Sequence, residues 1–236
     1  MKIVSWNCHY GLSKEKAEII LDTFPDADIF VIQECKKKDI DTFDQNWKYK
    51  DWHGDDQDIK SDLGVAIFSK NYINKCNSIF NRNFRYVVPY TVKIDNKTLT
   101  LFTVWTKSAP FYYDENVTKA VCSSEYKELI NNGAIIIGDF NTGHSEEYPN
   151  RYIDLCKNLN EFKNCALGKP EEFKNTFFSY TQNKMYLNDF CFISKTLDTN
   201  TKEIKYNIHD NWSDNEYNQK SWHGSDHCPI SVDFTL

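Results

Sequence analysis

The chain of 236 residues has 34 acidic and 28 basic residues, a formal net charge of −6, and 40% hydrophobic residues. With only 8 glycines and 6 prolines, this composition predicts a globular protein and excludes a fibrous or low-complexity chain. The acidic balance argues against the broad basic face of a sequence-reading DNA-binding domain. It still allows a nuclease, because a metal site itself needs carboxylates.

The number of domains and the cellular compartment are predicted from motifs that the sequence does not contain. No linker, charge block or internal repeat marks a boundary, so we expect one domain over residues 1–236. The 8 cysteines are scattered without a Cys-x-x-Cys pair, which favours free thiols in a reducing compartment. With no signal peptide and no bilayer-spanning segment, we expect a cytoplasmic monomer without membrane contact.

The first predicted strands each end on a polar side chain. Residues 2–7 alternate as a short strand that delivers Asn7. Ser13 is then placed to cap a helix with apolar residues at helical spacing. The continuous apolar run 29–32 predicts a buried strand, and Glu34 follows its end. The alternative for this glutamate is an exposed loop carboxylate.

The middle of the chain is predicted to add strands to a mixed fold. Irregular surface loops are expected over 43–62, followed by a core strand over 63–70. Residues 86–94 and 98–105 predict an antiparallel pair around a turn at Asp95-Asn96. Residues 114–131 predict one helix, capped by Asp114 and closed by Asn132-Gly133.

That helix leads into Ile135–Ile137, an apolar β-branched run that predicts a central strand covered on both faces. Asp139 and Asn141 are expected just past its end, after Gly138, where open α/β sheets place ligands. The alternative is an Asx turn, since both residue types favour turns.

The last third is predicted to be helical and loop-like up to residue 172, with strands over 177–180, 188–194 and 230–234. Asp189 is expected near the start of the second of these strands. The third strand is preceded by Asp226 and His227.

Taken together, the candidate residues share one property, which is a place at a predicted strand end or in a short loop beside it: Asn7, Glu34, Asp139, Asn141, Asp189, Asp226 and His227. Mg²⁺ prefers oxygen ligands, and Glu34, Asp226 and Asn7 could supply them. In-line attack on a phosphate needs a water held by a carboxylate and donors to the other oxygens. Asp139, Asn141 and His227 offer these groups.

In these motifs the chain resembles the endonuclease/exonuclease/phosphatase superfamily, which includes DNase I-like nucleases and abasic-site endonucleases. The motifs occur in the family's order along nearly the whole chain: 3–7, 31–34, 64–70, 138–141, 188–190 and 225–230. The resemblance implies an α/β fold, a four-layered sandwich of two mixed β-sheets packed face to face with helices outside.

The same resemblance implies roles for the candidate residues. Glu34 would be the principal metal ligand, with Asn7 and Asp226 as further ligands of Mg²⁺, or alternatively Mn²⁺. Asp139 would orient or deprotonate the attacking water, while Asn141 would contact the scissile phosphate. His227 would stabilise the transition state, and Asp189 would hold its imidazole.

Some residues depart from the family pattern. His9 stands where the abasic-site branch has an aspartate, and Trp105 stands where other members have tyrosine or histidine. An indole can donate one hydrogen bond but cannot accept a proton, so Lys107 could replace the lost contact. Leu187 occupies a position that often carries arginine, so we expect weaker binding of substrate at this position.

Aromatic side chains are expected to bind substrate by stacking, Trp105 first and Trp222 second. His223 could reach the site from its loop, although a surface role is the simpler interpretation. The basic run Lys36–Lys38 is interpreted as a solvated face.

The leading hypothesis is a Mg²⁺-dependent phosphodiesterase, a nuclease acting on nucleic acid with a short footprint. One alternative is a phosphatase or phosphodiesterase acting on small nucleotide, inositol or lipid phosphates. Another is a catalytically silent interaction module of the same fold.

Overall fold

The computed structural model describes the chain with short gaps. The described residues are 1–44, 46–54, 62–78, 80–81, 83–84, 86–94, 97–107, 113–144, 149–166, 174–214 and 220–235. All eight cysteines lie within these ranges, and all are free thiols. No helix in the described ranges is long and apolar enough to cross a membrane.

The described strands are, in chain order, β1 (Lys2–Asn7), β2 (Ile29–Lys36), β3 (Tyr49–Gly54), β4 (Leu63–Ser69), β5 (Ile73–Lys75), β6 (Val87–Ile94), β7 (Lys97–Trp105), β8 (Ala134–His144), β9 (Phe162–Asn164), β10 (Phe177–Ser179), β11 (Lys184–Ser194), β12 (Glu203–Ile208), β13 (Ser213–Asp214), β14 (Lys220–Ser221) and β15 (Ile230–Thr235). The helices are α1 (Lys14–Thr23), α2 (Tyr113–Val121), α3 (Ser124–Asn131), α4 (Pro149–Asn158) and the short α5 (Lys195–Asp198). A 3₁₀ helix covers Lys37–Asp41.

The strands form two large mixed sheets. The first has six strands in the order β12-β15-β1-β2-β4-β3, with β1 and β2 parallel. The second has seven strands, with the path β10-β11-β8-β7-β6-β5 and β9 paired to β11. Within it, β7 and β8 are parallel and the other pairs are antiparallel.

Side-chain alternation along the strands separates three apolar layers. Ile3 and Val31 of the first sheet share a buried cluster with Leu101 and Ile137 of the second, so this cluster fills the space between the sheets. The outer face of the first sheet packs on α1. The outer face of the second sheet packs on α2, α3 and α4. The expected four-layered α/β sandwich is therefore confirmed.

Most predicted elements are present, and Ser13 caps α1 by accepting a hydrogen bond from the Lys16 N–H. The single helix predicted over 114–131 is wrong, because the chain forms α2 and then α3 after Ser123. Part of the loop region predicted over 43–62 is strand β3. The turn predicted at 95–96 lies outside the described residues.

Three polar residues expected past strand ends lie within strands instead: Glu34, Asp139 and Asn141. Strand β8 continues through Asp139 to His144, because β11 remains paired with it beyond the end of β7. Strand β2 continues past Glu34 to Lys36, paired with β4. Asp189 lies in the middle of β11 and not near its start.

Candidate functional site

The site lies at one end of the layer between the two sheets. Side chains alternate with a period of two along a strand, and Ile135 and Ile137 of β8 face this layer. Asp139 has the same parity. By the same rule Asn7 follows Ile3 in β1, and Asp189 precedes Cys191 and Ile193 in β11. Three polar side chains from both sheets therefore meet where the apolar layer ends.

Glu34 reaches the same place through a β-bulge. The pairing of β2 with β4 shifts register between Gln33 and Cys35, and Glu34 adopts a φ of 56°. A positive φ is unfavourable for a residue with a Cβ. Simple alternation would turn Glu34 to the outer face with Phe30 and Ile32, so the bulge redirects its carboxylate to the site.

Asn7 links the carboxylates of the two sheets. Its Nδ2 donates to Oε1 of Glu34 at 3.2 Å and to Oδ2 of Asp139 at 3.0 Å. Its Oδ1 accepts the backbone N–H of His9 at 3.0 Å. Because acceptors surround one end of the amide and a donor the other, its orientation is fixed. Oδ1 keeps a second lone pair, so the expected role of Asn7 as an oxygen ligand of the metal stays a prediction.

Asp139 is fully buried, with donors on both carboxylate oxygens. Oδ1 accepts the backbone N–H of Asn141 at 2.8 Å, and Oδ2 accepts Nδ2 of Asn141 at 3.0 Å. The first contact is an Asx turn, which is the alternative interpretation given for this stretch. Nδ2 of Asn141 also donates to the carbonyl of Thr106 at 3.1 Å.

The glycine before Asp139 permits a close strand approach. A Cβ at Gly138 would lie 2.0 Å from the carbonyl oxygen of Val104, and the φ of Gly138 is +148°. Only glycine fits both conditions. Gly138 therefore keeps β8 against β7 at the point where Asp139 enters the site.

His227 lies between two carboxylates. Its Nδ1 is 2.9 Å from Oδ2 of Asp189, and its Nε2 is 4.0 Å from Oδ2 of Asp139. The ring packs on Phe177, with 4.7 Å between centroids. Behind it, Nε1 of Trp6 donates to the carbonyl of His227 at 3.0 Å, which fixes the loop before β15.

Burial and charge set the protonation of this group. Burial raises the pKa of Asp139 to about 7, while the positive charge of His227 opposes the shift. Burial alone would lower the pKa of His227, but the charges of Asp189 and Asp139 outweigh it and raise the pKa to about 10. At neutral pH we expect an imidazolium that donates to Asp189 and faces Asp139.

The outer rim of the site is a loop that carries two further contacts. Nδ1 of His9 is 3.0 Å from Oδ1 of Asp226, and the backbone N–H of Tyr10 donates to Oε2 of Glu34 at 3.1 Å. Burial opposes ionisation of Asp226, yet the hydrogen bond from His9 and the charge of His227 hold its pKa below the usual value. Glu34 and Asp226 thus contact consecutive residues of one loop.

The donor set fits a hard divalent cation. Glu34 and Asp226 offer carboxylate oxygens beside a partly exposed rim, which is the ligand type that Mg²⁺ and Mn²⁺ accept. Asp139, Asp189 and His227 also place ligand atoms within 4.8 Å of one another. We assign this buried triad to hydrogen bonding, because Nδ1 of His227 already contacts Oδ2 of Asp189 at 2.9 Å.

The structure does not support the predicted stacking surfaces. Trp105 is 5% exposed and lies parallel to Tyr86, with Nζ of Lys107 4.4 Å from its ring centroid. Trp222 is 2% exposed and meets Trp6 edge to face. Both indoles are core residues in this conformation, so neither presents an open face to a base.

Two other residues proposed for substrate binding lie at the margin. Lys107 follows Thr106, which contacts Asn141, so it stays close to the site along the chain. His223 is exposed at the turn between Trp222 and Ser225, where its ring packs edge to face on Trp222.

Sequence reasoning missed three supporting residues. Thr106 holds Asn141, Ser225 donates from Oγ to the carbonyl of Asn7 at 2.7 Å, and Tyr10 places its ring at the rim. Ser225 and Tyr10 each adjoin a recognised motif, so proximity in sequence was an available signal. Thr106 offered none, because its role depends on the register between β7 and β8.

Comparison with solved structures returns the same fold at low sequence identity. The endonuclease domain of TRAS1, a telomere-specific non-LTR retrotransposon, is 16% identical with a TM-score of 0.68, over 100% of this chain and 98% of that chain. The APE2 catalytic domain of Xenopus laevis is 18% identical with a TM-score of 0.65, over 99% and 91%.

The 3′ phosphatase NExo from Neisseria, bound to a product DNA hairpin, is 14% identical with a TM-score of 0.58, over 100% of both chains. A search of curated proteins gave no match. A family model, described as the Endonuclease/Exonuclease/phosphatase family, matches residues 4–227. Because this match covers nearly the whole chain, the protein belongs to the endonuclease/exonuclease/phosphatase family.

Proposed function

We propose that this protein is a divalent-metal-dependent phosphodiesterase that hydrolyses nucleic-acid phosphodiester bonds by in-line attack of water. One observation carries the proposal. A buried carboxylate, Asp139, faces an imidazole held by Asp189, and the amide of Asn7 connects Asp139 to Glu34 at the open rim.

Asp139 is suited to accept a proton from the attacking water. A general base works best when its pKa is near the operating pH, and burial raises the pKa of Asp139 to about 7. The two hydrogen bonds from Asn141 and the one from Asn7 fix the direction of the carboxylate. The proton of the water would move to Asp139 as the oxygen attacks phosphorus.

His227 is suited to stabilise the negative charge that develops on the phosphate. The separation of 4.0 Å between its Nε2 and Asp139 is longer than a hydrogen bond. A phosphate oxygen could therefore accept from Nε2, while Asp189 keeps the ring charged and oriented. Both hydrogens of the Asn141 amide already bond within the site, one to Asp139 and one to the carbonyl of Thr106, so Asn141 would contact the phosphate only by exchanging one of these bonds.

Glu34 and Asp226 would hold the divalent cation, which when bound neutralises charge on the leaving oxygen. Asn7 would act next to it as a spacer, because its amide nitrogen fixes both Glu34 and Asp139. His9 would orient Asp226 through the hydrogen bond from Nδ1.

Nucleic acid is the substrate class that we favour, with a short footprint. Solved relatives include a retrotransposon endonuclease domain and a phosphatase bound to a DNA hairpin. The net charge of −6 leaves few cations for a long phosphate track. Lys16 near the rim donates to the carbonyls of Cys8 and His9, and Lys36 pairs with Asp62 at 3.5 Å.

The test is hydrolysis of a substrate panel with Mg²⁺, with Mn²⁺ and with EDTA. The panel contains supercoiled plasmid, abasic duplex, single-stranded DNA, RNA, a 3′-phosphorylated oligonucleotide and a generic phosphomonoester. We expect metal-dependent cleavage of internal or terminal phosphodiesters, lost in Asp139→Asn. Release of phosphate alone would replace the proposal with a phosphatase, and no hydrolysis under any condition would overturn it.

A further inference from the structure

Tyr10 is the most exposed large hydrophobic residue in the described part of the chain. It is 69% exposed, and it directly follows His9 on the rim of the site. Single exposed apolar residues are common on protein surfaces. This one differs because the surrounding backbone is fixed and strained.

The loop that carries Tyr10 is held by several hydrogen bonds. The backbone N–H groups of His9 and Tyr10 donate to Asn7 and Glu34, and the N–H of Leu12 donates to Asp39 at 2.8 Å. From below, Nζ of Lys16 donates to the carbonyl of Cys8 at 2.5 Å and to that of His9 at 3.0 Å.

The same loop adopts a costly backbone conformation. His9 and Tyr10 have φ values of 50° and 59°, both in the left-handed region that residues with a Cβ avoid. Strain of this kind persists only where the surrounding structure enforces it, and it concentrates at functional sites. Two consecutive strained residues therefore fix the backbone that carries Tyr10, whose ring is exposed to solvent.

Three rings lie together at this rim. His9 meets Tyr10 edge to face with 4.3 Å between ring centroids, and its centroid lies 6.3 Å from that of Tyr180. Tyr180 is also close enough to Asp226 for the charge of that carboxylate, after burial, to raise the pKa of its phenol. The rings of Tyr10, His9 and Tyr180, here called the aromatic rim, border the proposed metal ligands.

We propose that the aromatic rim binds an unpaired nucleobase next to the scissile phosphate, with Tyr10 as the stacking residue. This proposal rests on the proposed function and specifies its substrate as a single-stranded or frayed segment. Aromatic side chains bind bases of any sequence because every base has a π-face. A paired base inside a duplex has both faces covered, so it could not stack on Tyr10.

The chemistry of the rim favours a base over other groups attached to a phosphate. An inositol ring is saturated and hydroxylated, so it gains little from stacking on a phenol. A lipid tail would require a continuous apolar patch, whereas the rim alternates rings with the polar groups of His9 and Asp226. The fixed loop also lowers the entropy lost on binding, because the backbone of Tyr10 is already held by hydrogen bonds.

Equilibrium binding tests the rim without catalysis. The probe is a fluorescein-labelled single-stranded DNA tetranucleotide, and its anisotropy is measured in EDTA so that hydrolysis does not intervene. Tyr10→Asn removes the ring and tolerates a left-handed backbone. We expect it to raise Kd by about 5- to 100-fold, as removal of one stacking contact does. Tyr10→Phe keeps the ring and should stay within about twofold of the parent.

A matched control is Tyr72→Ala. Tyr72 is also an exposed tyrosine, at 43%. It follows the end of β4, which pairs with the start of β2, so it lies at the far end of the first sheet from Glu34. This substitution should leave Kd unchanged. An unchanged Kd in Tyr10→Asn, an equal loss in Tyr72→Ala, or no measurable binding by the parent would each overturn the proposal.

A second measurement uses the base as the variable. Two oligonucleotides carry either normal bases or abasic residues beside the scissile phosphate, and kcat/KM is measured with Mg²⁺. The parent should prefer the oligonucleotide with bases, and Tyr10→Asn should abolish that preference. If Tyr10→Asn still prefers the oligonucleotide with bases, the proposal that the aromatic rim binds a base is contradicted. Base-dependent binding without any hydrolysis would instead contradict only the proposed reaction.

Discussion

The site has a deep wall and an outer rim that are built by different means. In the deep wall, formed by Asp139, Asp189 and His227, side-chain exposure does not exceed 4%. At the rim, Asp226 and His9 are 12% and 29% exposed. Burial sets the protonation of the wall, whereas backbone hydrogen bonds and left-handed residues set the shape of the rim. Under the proposed function, the wall would carry out the reaction and the rim would select what approaches it.

The largest expected effect comes from removing the carboxylate of the wall. Asp139→Asn keeps the size of the side chain but cannot accept the proton of the attacking water. We expect kcat/KM to fall by about 10²- to 10⁴-fold, the usual contribution of a general base. The midpoint of thermal unfolding should stay within about 4 °C, since the lost pairing with His227 is offset by relief of a buried charge.

Asp154→Asn is the control for that substitution, because Asp154 is an exposed aspartate of α4. It should leave both activity and thermal stability unchanged. Full activity in Asp139→Asn would show that another group accepts the proton.

The second effect tests whether Asp189 and His227 act together. Asp189→Asn and His227→Ala should each lower kcat/KM by about 10²-fold or more, since the imidazolium needs its carboxylate. The double variant should lose no more than about threefold beyond the worse single variant, as expected of groups that work as a unit. Losses that multiply would mean that the two residues contribute independently.

The third effect concerns the rim. Glu34→Gln keeps the shape of the side chain and removes its charge, so Mg²⁺ loses an anionic oxygen ligand. We expect the Kd for Mg²⁺, measured by calorimetry, to rise at least about tenfold with folding retained. Glu18→Gln on the exposed face of α1 is the control. An unaltered affinity in Glu34→Gln would exclude Glu34 as a principal ligand.

The smallest expected effect is a change of stability with pH that comes from His209. Unlike His227, which has a carboxylate oxygen of Asp189 2.9 Å from its ring, His209 has a hydroxyl as its hydrogen-bond partner. His209 lies 2.9 Å through Nε2 from the hydroxyl of Ser231, and burial followed by the charge of Lys2 lowers its pKa below 6.5. The unfolded chain therefore binds a proton near pH 6.5 that the folded chain does not. Stability should fall as the pH decreases from that value toward the folded pKa.

Urea unfolding between about pH 5 and 7 in EDTA measures this component. His209→Gln should flatten the loss of stability at the acidic end, because the variant has no imidazole to protonate. An identical pH dependence in the parent and the variant would show that His209 does not contribute.

The fold could be predicted where the sequence carries its own signal. The strands β2 and β8 contain continuous apolar runs, and these runs alone identified them. Strand β3 has no buried residue and lies at the edge of the first sheet, so its conformation depends on pairing with β4. Such a strand leaves little trace in the local sequence.

The site could be predicted as a set of residues but not as a geometry. Asp139 and His227 stood out because their motifs resemble a family. Three features of the geometry depend on contacts between distant segments: the orientation of the Asn7 amide, the bulge at Glu34 and the burial of Trp105. Tyr10 was missed for a related reason, since its left-handed backbone is imposed by Glu34 and Lys16.

The amide of Asn7 has a consequence for how this fold tolerates change. Through one nitrogen it joins Glu34, which belongs to the first sheet, to Asp139, which belongs to the second. The distance between the carboxylates of Glu34 and Asp139 is thus set by the spacing of the two sheets. A substitution deep in the layer between them, such as at Ile137 or Leu101, alters that spacing without touching the site. Natural selection on catalysis would therefore also act on the volume of the core between the sheets. A substitution that changes the size of one side chain in this layer should require a compensating substitution in the side chains that pack against it.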